Sequence, residues 1–127
     1  MIKGKLSCHM IYQDDDCIVI LDKYPIDNGH SLIITKKPYE KLTDMDVNEV
    51  AKLFSKIPKI ANAIIKVTNA DAFSIAQNNG KAAKQIIPHV HIHVIPRYDA
   101  TGTLWTKRKI MNDDELSELA KKIKNCF

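Results

Sequence analysis

Apolar and polar positions follow two different periods along this chain. Short apolar or alternating runs, bounded by turn-forming residues, predict five β-strands. They cover residues 10–13, 17–21, 31–35, 72–77 and 90–95. Apolar residues recur at helical spacing over residues 47–65, which predicts one long amphipathic helix, and over residues 116–123, which predicts a second. Strands and helices in this order predict an α+β fold.

A few residues mark where these helices begin or bend. Thr43 and Asp44 are candidate N-caps of the long helix because their side-chain oxygens can accept from the first free N–H groups. Asn112, with Glu115 three positions on, predicts the start of the C-terminal helix. Pro58 lies inside the long helical run and lacks an N–H, so it predicts a kink or break there.

Three consecutive aspartates, residues 14–16, separate the first two predicted strands. An acidic triplet is one form that a cation site takes. Its position between two apolar runs favours a hairpin turn instead, because aspartate side chains bond to nearby backbone N–H groups in turns.

The last predicted strand contains the candidate catalytic residues. Residues 89–95 are His-Val-His-Ile-His-Val-Ile, so alternation places three imidazoles on one face and valine and isoleucine in the core. Core or surface packing does not account for three imidazoles in a row, whereas imidazole serves as nucleophile, acid, base or metal ligand near neutral pH. At about 3.3 Å per residue the three rings span too far to converge on one zinc ion, so a metal would need a ligand from elsewhere.

This motif resembles that of the histidine triad family of nucleotidyl hydrolases and transferases, in its bacterial and archaeal-type branch. The resemblance extends over roughly residues 8–108 and is carried by specific motifs. They are Asp22 eight residues before His30, the segment 78–80, the triad at 89–95, Arg97-Tyr98 and Trp105. It implies a five-stranded antiparallel sheet with one long helix and a C-terminal helix, in a two-fold homodimer.

The resemblance also implies catalytic roles. His91, the middle histidine, is the nucleophile that forms a covalent nucleotidyl-histidine intermediate, and the backbone carbonyl of His89 can orient it by accepting its Nδ1 proton. His89 and His93 bond phosphoryl oxygens and help to protonate the leaving group, with their division of labour left open. His30 lies behind the triad and supports its hydrogen bonds.

Nucleotide binding falls to other polar residues. By resemblance Asp22 accepts from the ribose hydroxyls, with a strand-end turn as the alternative. Asn78 can donate to a phosphate oxygen, or simply form a turn with the following Asn-Gly. Gln85 can reach the phosphate or the leaving group. The base contact is expected from Ile18 or from the pair 10–11.

The chain departs from the family pattern at three positions. Lys84 and Ile86 stand where members commonly have glycine and a serine or threonine, so one hydroxyl near the phosphate is missing and one charge is added. Lys84, Lys107 and Arg108 favour a polyphosphate leaving group over a neutral amine. Lys23 replaces an apolar residue that often contacts the base.

Bulk properties suit a small enzyme. The 127 residues predict one domain, 1–127, with ordinary proportions of 45% hydrophobic and 27% charged residues. A net charge of +4 does not indicate a nucleic-acid partner. No apolar run is long enough for a membrane span and no signal peptide is evident, so we expect a cytoplasmic protein without a membrane partner.

Cysteine usage gives no metal or disulfide framework. Cys8, Cys17 and Cys126 are an odd count without close pairs, which suits a reducing compartment. Some family members bind a structural zinc through cysteines and histidines, but Pro38 stands where one such histidine often lies. We therefore expect no metal and no cofactor.

The functional hypothesis is a nucleotide phosphohydrolase or nucleotidyl transferase. It would cleave a nucleoside 5′-phosphoryl bond, in a phosphoramidate or a dinucleoside polyphosphate, through a covalent nucleotidyl-histidine. The alternatives are a nucleotide-binding protein with little catalysis and a metal-dependent hydrolase that uses the histidine cluster.

Overall fold

The computed structural model describes residues 9–85, 87–99 and 112–127. Its strands are β1 Met10–Gln13, β2 Cys17–Leu21, β3 Ser31–Thr35, β4 Ala72–Ala76 and β5 His91–Arg97. Its α-helices are α1 Val47–Ser55, α2 Ile57–Thr68 and α3 Asp113–Lys124, with short 3-10 helices at Leu42–Asp44 and Lys81–Ala83. The interpretations of Cys8, Ile86, Trp105, Lys107 and Arg108 lie outside the described residues.

The strands form one antiparallel sheet in the order β1-β2-β3-β5-β4. This confirms the predicted five-stranded α+β fold. The chain leaves β3 through the helices and β4 before it returns, so β5 is inserted between β3 and β4. In that register His93 lies opposite Leu32, and His91 lies opposite Ile34.

The acidic triplet forms the predicted turn. Asp14 Oδ1 accepts from the backbone N–H groups of Asp16 at 2.8 Å and Cys17 at 3.0 Å. The Lys56 ammonium lies 2.9 Å from the Asp14 carboxylate and 3.4 Å from that of Asp16. Burial opposes the charge on Asp14, but these hydrogen bonds from Lys56 and the backbone outweigh it and hold its pKa below the ordinary value.

The long helix is divided as Pro58 predicts. α1 ends at Ser55, α2 begins at Ile57, and Pro58 occupies the first turn of α2, where its missing N–H is not needed. The predicted N-caps Thr43 and Asp44 are wrong, because they lie in a 3-10 helix and the extended Met45 follows. The cap is Asp46, whose side chain accepts from the N–H of Glu49.

The C-terminal helix begins as predicted. The Asn112 side chain accepts from the N–H of Glu115 at 2.8 Å and caps α3. None of the helices in the described ranges combines the length and the apolar character that a membrane crossing requires.

The two faces of the sheet are different. One face packs against the helices in the main core, and Val90, Ile92 and Val94 are fully buried there, as alternation predicts. The other face carries His91 and His93 beside an apolar patch. That patch consists of Ile20, Leu32 and Ile34 with Met10 and Ile18 packed against them.

The predicted base contact from the pair 10–11 involves two residues that lie on opposite faces of the sheet. Ile11 is fully buried in the helix-side core, so it is not available to a base, whereas Met10 and Ile18 lie on the histidine face. The correction follows from the period of two, which sends successive strand residues to opposite faces.

Candidate active site

His91 is oriented by a backbone carbonyl two residues before it. Its Nδ1 lies 2.7 Å from the backbone carbonyl oxygen of His89. A carbonyl only accepts, so Nδ1 carries the proton and, in the neutral ring, Nε2 keeps its lone pair. The orienting contact expected from the sequence is therefore present, and the role of His91 as nucleophile stays a prediction.

His30 and His93 form a directed hydrogen-bond chain. His30 is fully buried, and its Nδ1 accepts from the backbone N–H of Ile26 at 3.0 Å. Its proton must then be on Nε2, which lies 2.8 Å from His93 Nδ1. Because His93 Nδ1 accepts, the His93 proton lies on Nε2. The buried His30 thus determines which nitrogen of His93 is the donor, and its role in catalysis stays a prediction.

His89 differs from the other two motif residues. It precedes β5, and its Nε2 lies 2.7 Å from the carbonyl oxygen and 3.1 Å from the hydroxyl oxygen of Thr35 at the end of β3. Its ring is therefore bonded to the neighbouring strand. Sequence reasoning missed Thr35, because the pairing of β3 with β5 alone brings it to His89.

Asp22 forms the strand-end turn that was its alternative interpretation, and its ribose contact stays a prediction. Its Oδ1 accepts from the N–H of Tyr24 at 2.9 Å, which is a turn contact. Its backbone N–H donates to the His30 carbonyl at 2.8 Å, and its Oδ2 lies 3.6 Å from His30 Nε2. The turn thus holds the carboxylate beside the histidine chain, with 16% of the side chain exposed.

The tail of β5 holds the loop that carries His30. Arg97 Nε lies 3.8 Å from the carboxylate of the buried Asp27, and the Tyr98 hydroxyl donates to the Asn28 carbonyl at 2.6 Å. Burial raises the pKa of Tyr98, so its hydroxyl stays protonated as a donor. Asp27 is a further residue that sequence reasoning missed, because only the fold brings Arg97 to it.

Gln85 is bonded within the protein. Its side-chain oxygen accepts from the N–H of Gly80 at 2.6 Å, and its nitrogen donates to the Glu40 carbonyl at 2.6 Å. The buried amide thus connects two loops ahead of the triad. Asn78 is half-buried, two residues beyond β4. Phosphate contacts for Gln85 and Asn78 stay predictions.

Asp22, His30 and His93 place potential metal-ligating atoms within 4.8 Å of one another. This cluster does not fit a metal ion. His30 Nδ1 already accepts from a backbone N–H, and its Nε2 carries a proton, so His30 has no lone pair to give.

The two cysteines in the described ranges differ in their surroundings. Cys126 is exposed, whereas Cys17 is buried, and burial raises the pKa of the Cys17 thiol to about 12.

Fold and site together define a small α+β domain with a histidine cluster on one face of an antiparallel sheet. The family model described as HIT domain matches residues 3–100, and the chain belongs to this family. That confirms the histidine triad resemblance, and solved bacterial and archaeal members of the family match the chain.

Two curated relatives are named hydrolases. Adenylylsulfatase HINT3 of Arabidopsis thaliana is 43% identical over 124 residues, which cover 94% of this chain and 62% of that protein. The asymmetrical bis(5′-nucleosyl)-tetraphosphatase of Schizosaccharomyces pombe is 40% identical over 98 residues, covering 77% of this chain and 54% of that protein. The matches thus span less than two thirds of the length of both relatives.

The fold similarity extends over most of a solved relative. The HIT-like protein involved in cell-cycle regulation from Bartonella henselae is 32% identical, with a TM-score of 0.90. The match covers 99% of this chain and 91% of that one. The family thus accounts for the fold, and its similar members include hydrolases of nucleotide compounds.

Proposed function

We propose that this protein cleaves a nucleoside 5′-phosphoryl bond through a covalent nucleotidyl-histidine intermediate. His91 Nε2 attacks the α-phosphorus, a P–N bond forms, and the bond to the leaving group breaks with its electron pair on that group. His93 Nε2–H donates a hydrogen bond to the departing atom, so the leaving group departs as a stabilised anion. Water then attacks the phosphorus, the P–N bond breaks with its electron pair on His91 Nε2, and the proton that water loses passes to the departed anion or to solvent as the nucleoside monophosphate is released.

One observation carries this proposal. The hydrogen bond from His91 Nδ1–H to the His89 carbonyl leaves a nucleophilic lone pair on Nε2, next to a His93 ring whose proton is on Nε2. The two ring centroids are 5.0 Å apart. A lone-pair donor and a hydrogen-bond donor side by side supply the nucleophile and the charge stabilisation that displacement at phosphorus needs. The nearby apolar patch offers a base a place to pack.

The test is a panel of adenosine and guanosine phosphoryl compounds, assayed with and without chelator. We expect turnover that chelation does not change, and an acid-labile adduct of one nucleoside monophosphate on the peptide that contains His91, trapped by rapid quench and mass spectrometry. Binding without turnover would support the alternative of a nucleotide-binding protein. Loss of activity on chelation, restored by added metal, would support the metal-dependent hydrolase.

Asp22 is proposed to bind the ribose. Asp22→Ala should weaken binding of AMP by roughly 1.5–3 kcal/mol, because a hydrogen bond to a charged group is lost. An analogue without both ribose hydroxyls should bind the wild type and the variant about equally.

Isothermal titration of the two ligands measures this difference. Asp22→Asn is the matched control for the turn, because its side-chain oxygen can still accept from the Tyr24 N–H. It should lose part of the preference for ribose while retaining the stability of the wild type. If Asp22→Ala weakens both ligands equally, Asp22 does not contact the ribose.

The leaving group is proposed to be anionic. Lys84 is exposed directly before the buried Gln85, and its φ of +67° is a backbone conformation that favours glycine. A lysine in that position adds a cation ahead of the triad. Both relatives named above act, by their names, on compounds whose leaving group is an anion, sulfate or polyphosphate.

We therefore expect kcat/KM for diadenosine polyphosphates, and for adenylylsulfate, to equal or exceed that for adenosine phosphoramidate. Lys84→Gly should lower kcat/KM for the anionic leaving groups by several-fold, because a charge-assisted contact is lost, and leave the phosphoramidate unchanged. Ile86→Ser, which restores the hydroxyl common in the family, is assayed in parallel. A strong wild-type preference for the phosphoramidate that Lys84→Gly leaves intact would refute the idea.

The protein is proposed to be a homodimer that associates through β4. This strand lies at one edge of the described sheet, so one side of its backbone is open to further pairing. Phe73 and Ile75 stand on one face of it, with 42% and 39% of their surface exposed. An exposed apolar edge strand is a typical surface for symmetric strand pairing.

Light scattering at micromolar concentration should give twice the chain mass. Ile75→Asp should shift the mass toward the monomer, because it places a charge on the proposed contact. Val47→Asp is the matched control: Val47 is 82% exposed at the start of α1 and should not affect association. A wild-type monomer, or equal behaviour of the two variants, contradicts the proposed interface.

A further inference from the structure

Thr35 ends β3 beside the first histidine of the motif. Its side chain is nearly fully buried, and its hydroxyl donates to the Lys37 carbonyl at 2.8 Å. With that proton committed, the hydroxyl oxygen can only accept from His89 Nε2, 3.1 Å away. The Thr35 carbonyl, 2.7 Å from the same nitrogen, also only accepts. Both atoms therefore require a proton on His89 Nε2.

The peptide group that follows His89 is held at both ends. Its carbonyl oxygen, which belongs to His89, lies 2.7 Å from His91 Nδ1. Its N–H, which belongs to Val90, donates to the Tyr39 carbonyl at 2.8 Å. The peptide is planar, so these two bonds and the position of the His89 ring together determine where the carbonyl points. Contacts to the His89 ring thus act on the orientation of His91.

We propose that Thr35 is a positioning residue for this histidine motif. It holds His89 in the Nε2–H form, bonded to β3, and thereby steadies the carbonyl that orients His91. His89 then acts through its backbone, and its ring is not a proton donor to substrate. The effect on turnover rests on the proposed function, since it takes His91 as the nucleophile, whereas the tautomer of His89 does not.

The tautomer is tested on the resting protein without substrate. Long-range ¹H–¹⁵N correlation spectra of ¹⁵N-labelled protein distinguish protonated from unprotonated ring nitrogens, and His89→Gln assigns the signal. We expect a protonated Nε2 for His89 at neutral pH, with slow exchange of its proton with water. Thr35→Val should speed that exchange. An unprotonated Nε2 would overturn the proposal, whether or not any nucleotide is turned over.

The kinetic test compares Thr35→Val with Thr35→Ser. Valine keeps the shape and removes the hydroxyl, so kcat should fall by about tenfold through misalignment of His91, with KM within about twofold. Serine restores the hydroxyl and should restore kcat. His89→Gln, whose amide can donate to the Thr35 carbonyl, should retain more activity than His89→Ala and leave the pH profile unchanged. Wild-type kcat in Thr35→Val, or equal loss in both Thr35 variants, would show that the hydroxyl does not position the motif.

Discussion

Replacing His91 with asparagine should reduce turnover by at least about 10³-fold, because the proposed covalent step loses its nucleophile. Asparagine can still donate to the His89 carbonyl that His91 now bonds, so the strand should remain in register. The free energy of unfolding measured in urea should change by less than about 1 kcal/mol, as for a substitution on a half-buried sheet face. Single-turnover kinetics would give no nucleotidyl adduct.

A matched control is available in His9→Asn. His9 lies outside the histidine motif, and its ring is 3.4 Å from the Asp113 carboxylate at the start of α3. The same substitution there should leave kcat and KM unchanged. Activity of His91→Asn within about tenfold of the wild type would exclude the covalent mechanism, provided that His9→Asn behaves as the wild type does.

Replacing Gly29 with alanine should destabilise the fold by about 3 kcal/mol. The residue has φ of +93°, where an L side chain is strained, and its backbone is closely approached. A Cβ would lie 2.8 Å from Thr68 Cγ2, 3.1 Å from Pro96 Cγ and 3.2 Å from Ile64 Cγ2. Because His30 follows directly, the fraction that stays folded should also lose activity through displacement of the His30–His93 bond.

Gly80→Ala separates strain from crowding. Gly80 has nearly the same φ, +91°, but the nearest atom to its Cβ position is Lys41 Cε at 3.8 Å. The free energy of unfolding measured in urea should therefore fall by only about 1–2 kcal/mol there, the cost of the backbone strain alone. Thr68→Ser removes the closest methyl group and keeps the hydroxyl that bonds Ile64, so it should partly rescue Gly29→Ala in a double-mutant cycle. Equal losses for the two glycine variants would show that crowding at Gly29 is unimportant.

Local pattern predicted most of the elements, since each depends on neighbours in sequence. The strand periods, the capping of α3 by Asn112 and the break near Pro58 involve residues a few positions apart. The start of α1 at Val47 agrees with the predicted range, but its cap was wrong because Thr43, Asp44 and Asp46 all carry a side-chain oxygen that can cap a helix. In the fold the Asp44 carboxylate accepts from the N–H of Lys41 instead.

Part of the candidate site could also be predicted from the sequence. Alternation over residues 89–95 places the imidazoles on one face, and the bond from His91 to the His89 carbonyl spans two residues. Gln85 shows the limit, because its buried amide bonds to Glu40, 45 residues away, which no local pattern indicates.

The sequence by itself determined which side chains share a face, because the pleat of a strand and the turn of a helix are local properties of the backbone. Only the tertiary structure decided which faces meet. Insertion of β5 between β3 and β4 brings His30 to His93 across 63 positions and Thr35 to His89 across 54. Those two contacts set where the protons of the motif lie, since a histidine tautomer is selected by whichever donor or acceptor the fold places against each ring nitrogen.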